Sequence, residues 1–182
     1  LYHIGGWDTQ SDLVAWYPFN GNANDESGNG NNGTVNGATL TEDRFGNENS
    51  AYDFDGVDDY IEVENSTVLS DALLGDFTMS TWVKAQLSGG FILHIRTEDG
   101  IGGGCSYGFN AVEEKFKFSN WYYNTFTWNI QTPDTINTET WYLLSACISP
   151  EKDSTWLYLN KHLVGVSTME VKTPTSPVMI NI

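Results

Sequence analysis

The chain has 182 residues, 40% of them hydrophobic, enough for one domain with a sizeable core. Its 24 acidic residues against 8 basic ones give a formal charge of −16, so it lacks the Lys/Arg clusters that nucleic acid or an anionic membrane surface requires. No apolar run is long enough to span a bilayer, and two cysteines, Cys105 and Cys147, are too few for a disulfide framework or a zinc site. The two sulfurs form either one bridge or two buried thiols. The excess acid either keeps a secreted protein soluble or partly serves to hold a metal ion.

Leu1 to Gly6 is an apolar run closed by two glycines, with no basic segment leading into it, so no signal peptide is visible and the chain reads as an excised module. His3 stands alone, without a second ligand at metal spacing. Residues 1–12 are expected to form an N-terminal extension or an added strand, and residues 13–182 one β-sandwich domain. Leu13 to Phe19 is the first expected strand. Asn20 to Gly37 then holds seven Asn and five Gly, a composition that favours turns over regular structure. Within it, Asn20-x-Asn22-x-x-Asp25-x-Ser27-Gly28 sets oxygen ligands where glycine lets the backbone fold back, which suits Ca²⁺ or, equally, a surface loop held by its own Asx-turns. The EF-hand spacing is absent.

Thr39 to Asn49 reads as a connection. Ala51 to Val63 then alternates Tyr52 and Phe54 with Asp53 and Asp55, breaks at Gly56 to Asp59, and alternates Ile61 and Val63 with Glu62 and Glu64, which predicts a hairpin with an acidic outer side. Asp53, Asp55, Asp58 and Asp59 crowd together, so either a cation offsets their repulsion or all four are hydrated at the surface. Val68 to Leu74 suits one helical turn. Phe77 to Ala85 alternates with Phe77, Met79, Thr81 and Val83 inward, leaving Trp82 outward for packing or for a sugar platform. Short strands are expected at Phe91 to Ile95, Tyr107 to Asn110, Lys115 to Phe118, Phe126 to Ile130, Trp141 to Ile148, Thr155 to Leu159, Leu163 to Val171 and Val178 to Ile182. Gly100 to Gly104 lacks a phosphate-loop signature and reads as a hairpin tip.

Four stretches in order carry a resemblance: Leu13-Val-Ala-Trp-Tyr-Pro-Phe-Asn-Gly-Asn-Ala-Asn-Asp-Glu-Ser-Gly, the Ala51 to Val63 stretch, Asp76-Phe-Thr-Met-Ser-Thr-Trp-Val-Lys-Ala, and Trp156-Leu-Tyr-Leu-Asn-Lys-His-Leu-Val-Gly. Together they resemble the laminin-G-like domains of the concanavalin A-like lectin and glucanase superfamily, over roughly Leu13 to Ile182. The resemblance implies an all-β, two-sheet antiparallel jelly roll with almost no helix, whereas alternation and turn spacing alone imply some β-sandwich. It also implies a structural Ca²⁺ near the Asn-rich loop, for which Asn22, Asp25, Asp55 and Asp58 are the candidate ligands. The usual final strand of the family, approximately Gly-x-Ile-Asp-Asp-Ile/Val-Arg-Ile-Tyr, does not appear before Ile182, so a gap is expected in one sheet unless the N-terminal strand fills it.

The paired carboxylates of a glycoside hydrolase, carried by related glucanases as Glu-x-Asp-x-x-Glu, are not found. Glu62 and Glu64 adjoin a turn, and Glu113 and Glu114 point apart. His3, His94 and His162 have no nucleophile signature beside them. No catalysis is expected. Binding is better supported by Ser119-Asn-Trp-Tyr-Tyr-Asn-Thr-Phe-Thr-Trp-Asn, in which five aromatics interleave with amides and hydroxyls as a sugar site requires. Alternation sends at least half of the aromatics inward, and Trp121, Tyr123, Asn120 and Asn124 are the candidate ligand-binding residues. The expected function is a non-catalytic extracellular or cell-surface module of a larger protein that binds carbohydrate. The alternatives are an adhesive module with protein partners and an accessory domain of a polysaccharide-degrading enzyme.

Overall fold

A computed structural model of the chain describes residues 12–64, 67–85, 90–97, 105–122, 125–173 and 178–182. Thirteen strands and one short helix occur among them: β1 Gly33–Asn36, β2 Thr39–Thr41, β3 Ala51–Asp53, β4 Tyr60–Val63, α1 Thr67–Ala72, β5 Phe77–Val83, β6 Phe91–Thr97, β7 Cys105–Val112, β8 Lys115–Tyr122, β9 Thr125–Gln131, β10 Tyr142–Ser149, β11 Ser154–Leu159, β12 His162–Ser167 and β13 Val178–Asn181. A seven-stranded sheet runs β1-β4-β13-β6-β7-β8-β9, a four-stranded sheet runs β12-β11-β10-β5, and β2 pairs with β3 alone. Every ladder is antiparallel. This is the expected jelly-roll sandwich.

Strand alternation builds the core from both sheets. Ile61, Val63, Tyr107, Phe109, Phe116, Phe118 and Val178 face inward from the large sheet, and Leu144, Ala146, Ile148 and Leu157 from the small one. Edge-to-face ring pairs join the layers, Phe77 to Tyr107 and Phe116 to Tyr142, each with centroids 5.3 Å apart. The helical turn is amphipathic as its spacing predicts, burying Leu69 and Leu73.

Three expectations change. Leu13 to Phe19 joins no ladder, and Phe19 leaves the strand conformation at φ +58°; Pro18 has no N–H to offer, and neighbouring side chains occupy the backbone groups instead, as described below. Ala51 to Val63 is not a hairpin of its own, because β3 pairs with β2 while β4 pairs with β1 and β13. The two halves of a longer, bent hairpin, β1–β2 and β3–β4, turn at residues 42–50, where Asp43 accepts hydrogen bonds from Phe45 N (2.8 Å), Asn47 N (2.9 Å) and Asn47 Nδ2 (3.0 Å). Residues 54–59 bulge out of it opposite Gly37. Third, no gap opens in the large sheet: β13 lies between β4 and β6, with Ile180 opposite both Val63 and Ile95. The residues before Asp12, where a substitute strand was expected, lie outside the described residues, as do residues 98–104.

Cys147 carries a free thiol that accepts a hydrogen bond from Thr78 Oγ1 at 3.5 Å. Where β12 crosses the edge of the large sheet, a β carbon on Gly165 would lie 2.1 Å from Ile130 Cγ2. Gly165→Ala is therefore expected to destabilise the fold by ~1–3 kcal/mol through overpacking. Combining it with Ile130→Ala is expected to cost less than the sum of the two changes, measured by chemical denaturation.

Candidate functional site

Oxygen-rich side chains of the Asn-rich loop brace the strandless first segment. Asp25 Oδ1 accepts from Trp16 N (3.0 Å) and Ser27 N (2.9 Å), and its Oδ2 accepts from Ser27 Oγ (2.8 Å) and Asn31 N (3.0 Å). Val14 O accepts from Asn29 Nδ2 (3.1 Å) and Asn31 Nδ2 (2.9 Å), and Asn29 Nδ2 also donates to Leu13 O (2.9 Å). Amide side chains thus stand in for a partner strand. Burial would raise the Asp25 carboxyl, but its hydrogen bonds outweigh burial and hold it below the ordinary carboxylate value. Asn22 Oδ1 closes an Asx-turn onto Asn24 N at 2.8 Å. Asn22 Oδ1 and both Asp25 oxygens take up hydrogen bonds from the loop and the first segment.

Among the described residues, acid oxygens of Asp55, Asp58 and Asp59 converge, lying within 4.8 Å of one another. Asp55 Oδ1 accepts from Val57 N at 2.8 Å, and Asp59 Oδ2 from Asp55 N at 3.0 Å, which fixes the bulge around them. Gly37, at φ +80°, completes the arrangement: a β carbon there would sit 1.8 Å from Asp59 Oδ1. Three hard oxygen donors at this spacing fit a cation of the Ca²⁺ class. Two of the expected metal residues, Asp55 and Asp58, are in this group, and Asp59 joins them.

The outer face of the seven-stranded sheet is polar across its whole width. Reading one register row from β1 to β9 gives Thr34, Glu62, Asn181, His94, Gly108, Ser119 and Asn129. Beside it run Arg96, Ser106 and Trp121 on one side and Asn110 and Lys117 on the other. A β-bulge between Phe91 and Leu93 turns Phe91 onto this face, where its ring stacks on His94 with centroids 4.0 Å apart and planes at 6°. Gly108 lies under that ring, since a β carbon there would come within 2.8 Å of Phe91 Cδ1. Burial, and then the charge of Arg96, lower the His94 pKa to about 4, so the imidazole is neutral at pH 7. Asn110 Oδ1 and Asn181 Oδ1 are buried acceptors with no hydrogen-bond donor among the described residues, an arrangement that costs ~1–3 kcal/mol per group unless something supplies one.

Of the four expected ligand residues, Trp121 stands half-buried on this face. Asn120 is turned the other way and is fully buried, with Nδ2 donating to Ser106 O (3.2 Å) and Oδ1 accepting from Lys172 N (3.4 Å), so it braces the interior. Tyr123 and Asn124 lie outside the described residues. Phe91, His94, Arg96, Asn110 and Asn181 were not singled out from the sequence as ligand residues, because they come from three strands and no local motif joins them.

A profile of the concanavalin A-like lectin/glucanases superfamily matches residues 54–180. The chain belongs to that superfamily. Domain 4 of AbnA, an extracellular GH43 arabinanase from Geobacillus stearothermophilus in complex with arabinotriose, superposes with a TM-score of 0.60 at 15% identity, over 92% of this chain and 90% of that one. The carbohydrate-binding module CBM66 from Bacillus subtilis gives 0.48 at 16% identity, over 82% and 86%. The LG4-5 fragment of mouse laminin α1 gives 0.48 at 12% identity, and the match covers 59% of this chain and 28% of that fragment. The arabinanase domain carries the likeness of fold. No curated protein sequence matches the chain.

Within this superfamily member the second sheet face has a different chemistry. The outward positions Thr78, Ser80, Trp82, Leu143, Ser145, Cys147, Trp156, Tyr158, Leu163 and Val166 of the four-stranded sheet are all uncharged. Arg44, from the turn after β2, covers one end, lying 4.3 Å from the Trp82 ring centroid and 4.2 Å from that of Phe45. Trp82 remains 42% exposed, so it is neither core nor bare.

Asp25→Ala is expected to destabilise the domain by ~1–3 kcal/mol at neutral pH, in chelator as much as in Ca²⁺, because it orphans backbone donors. The folded carboxyl lies below the ordinary carboxylate value, so its stabilisation is complete above that ordinary value and is lost as pH falls through the folded pKa. Urea melts of both proteins from pH 7 to pH 2 should show the deficit shrinking toward the acid end.

Proposed function

We propose that this chain is a non-catalytic carbohydrate-binding module of a longer extracellular or cell-surface protein, with the glycan on the outer face of the seven-stranded sheet. The observation that carries this reading is the polar row across all seven strands, which includes His94 and Asn181 and has Phe91, Trp121 and Asn110 beside it, the Asn110 and Asn181 side-chain oxygens having no donor among the described residues. Sugars need this combination, because C–H faces stack on rings while hydroxyls bridge amides. Glu62 is the one carboxylate at the outward positions of these strands, whereas glycoside hydrolysis needs two facing each other. The arabinanase domain of the same fold holds an arabinotriose, which agrees with this reading. A glycan array probed with the wild type, followed by titration of the best ligand, tests it: Trp121→Ala is expected to weaken binding by ~1–3 kcal/mol without altering the circular dichroism spectrum. Retention of no glycan would overturn the proposal. Docking of a protein partner is the second reading, favoured by the uncharged face around Trp82 and Trp156.

A structural Ca²⁺ at Asp55, Asp58 and Asp59 belongs to the same proposal. Bound there, the ion would neutralise three clustered carboxylates and hold the bulge of residues 54–59 against Gly37. Protein stripped of metal should gain ~2.7 kcal/mol at a Ca²⁺ concentration of about 100 times the dissociation constant. Asp58→Asn should abolish that gain and Asp25→Ala should leave it, read from melting temperatures at matched ionic strength. Equal melting temperatures with and without Ca²⁺ would rule the ion out.

A further inference from the structure

We propose that the polar face of the seven-stranded sheet takes a carboxylate-bearing saccharide, with the Arg96 guanidinium on the carboxylate and Phe91 under the sugar ring; this rests on the carbohydrate reading of that face. Arg96 is exposed on β6, between Met179 of β13 and Ser106 of β7. Its described contact runs from Nη2 to Met179 Sδ at 3.4 Å, and a thioether is a poor match for a fork of five N–H donors. The ion pairs among the described residues are Lys117–Glu113 and Lys172–Glu170, so Arg96 belongs to neither.

That isolation is unexpected in a chain with three times as many acids as bases, 24 against 8. Along the polar row the carboxylate is Glu62, on β4, two strands from β6. Two strand spacings are roughly 9–10 Å, beyond the ~8 Å over which exposed charges interact strongly at physiological salt. The remaining cation beside the row, Lys117, is held by Glu113 at 3.3 Å. Arg96 is thus the cation on this face whose bidentate fork is uncommitted among the described residues, and a planar carboxylate is its best complement.

The groups around it suit a sugar, not a bare acid. Phe91 is 49% exposed and is carried onto the same face by the bulge, seated on Gly108 and His94. The Phe91 ring stacks on His94, two residues along β6 from Arg96 on the same face, an interval of roughly 7 Å that the long arginine side chain can span toward a carboxylate on the sugar. Asn110 and Asn181 flank β6 on either side in register, and a small rotation of each amide toward the face would give its oxygen a ligand hydroxyl as donor.

The test is calorimetric titration of the whole chain with uronate oligosaccharides and with sialyl-oligosaccharides, each beside its methyl ester, and with neutral oligosaccharides. The expected result is binding of an acid form, with affinity lowered about 10-fold or more by esterification or by Arg96→Gln, and little further by both together. The arm that binds identifies the source of the carboxylate. Esters or neutral sugars that bind as tightly as the acid would overturn the acidic class while leaving the carbohydrate reading in place. Failure of every saccharide, acid and neutral, would overturn both. If Arg96→Gln does not fold, the comparison of acid with ester on the wild type decides the question alone.

Discussion

The register of β13 between β4 and β6 is the constraint on which the rest of the molecule depends. Ile180 faces the core opposite Val63 and Ile95, and Asn181 therefore faces outward opposite Glu62 and His94. A slip by one residue would drive Asn181 into the core and put Ile180 on the polar face. Burying Val178 and Ile180 supplies about 1.5–3 kcal/mol per side chain against that slip. Without β13 the sheet would part into β1–β4 and β6–β9, and the polar row would be cut between Glu62 and His94. The strand that joins the halves comes more than a hundred residues after β4, so the face is completed by a contact of very long sequence separation, the kind that forms slowly.

Faces were legible in the sequence, and partners were not. Alternation placed Met79, Ile61 and Val63 inward and Trp82 outward, because side-chain period is a local property of a strand. The same alternation in Ala51 to Val63 invited a local hairpin, while the true turn lies ten residues earlier, where Asp43 gathers the loop in a segment that reads as plain polar connection. Leu13 to Phe19 failed for a related reason. Its periodicity is real, but its backbone groups go to Asp25, Asn29 and Asn31, and side-chain substitutes for a ladder leave no strand pattern in the partner. Asn120 shows the limit of composition: an amide among aromatics looks like a ligand residue, and only its parity relative to Phe118 and Trp121 sends it inside.

The excess acid has a division of labour. Glu62 is alone among carboxylates at the outward strand positions of the large sheet, the outward side of the small sheet is uncharged, and the acids crowd instead into connections such as residues 54–59 and the turn after β2. Repulsion between exposed carboxylates 4 Å apart is about 1 kcal/mol in water, tolerable in a loop whose own N–H groups take up the oxygens. On a binding face the same charge would repel any anionic ligand. Segregating acid into loops lets a chain of −16 remain soluble while both sheet faces stay available for contacts of another chemistry.

Two irregularities finish the polar face, and neither could be read from a period of two. In β6 the bulge at Phe91–Leu93 puts residues 91 and 94 on one side, although three positions apart should point them oppositely. In β9 the bulge opposite Asn120 and Trp121 shifts the register so that Trp121 faces residue 126 while Asn120 faces Trp128. A bulge adds local twist as well as re-aiming a side chain, so these two, on either side of Gly108 and Ser119, bend the middle of the sheet where the stacked rings sit. The side chain at 108 must be absent for Phe91 to lie down on the sheet, and the bulge must be present for it to reach that place. A regular sheet with the same residues would bury Phe91 against Leu93 and leave a polar face with no aromatic beside His94.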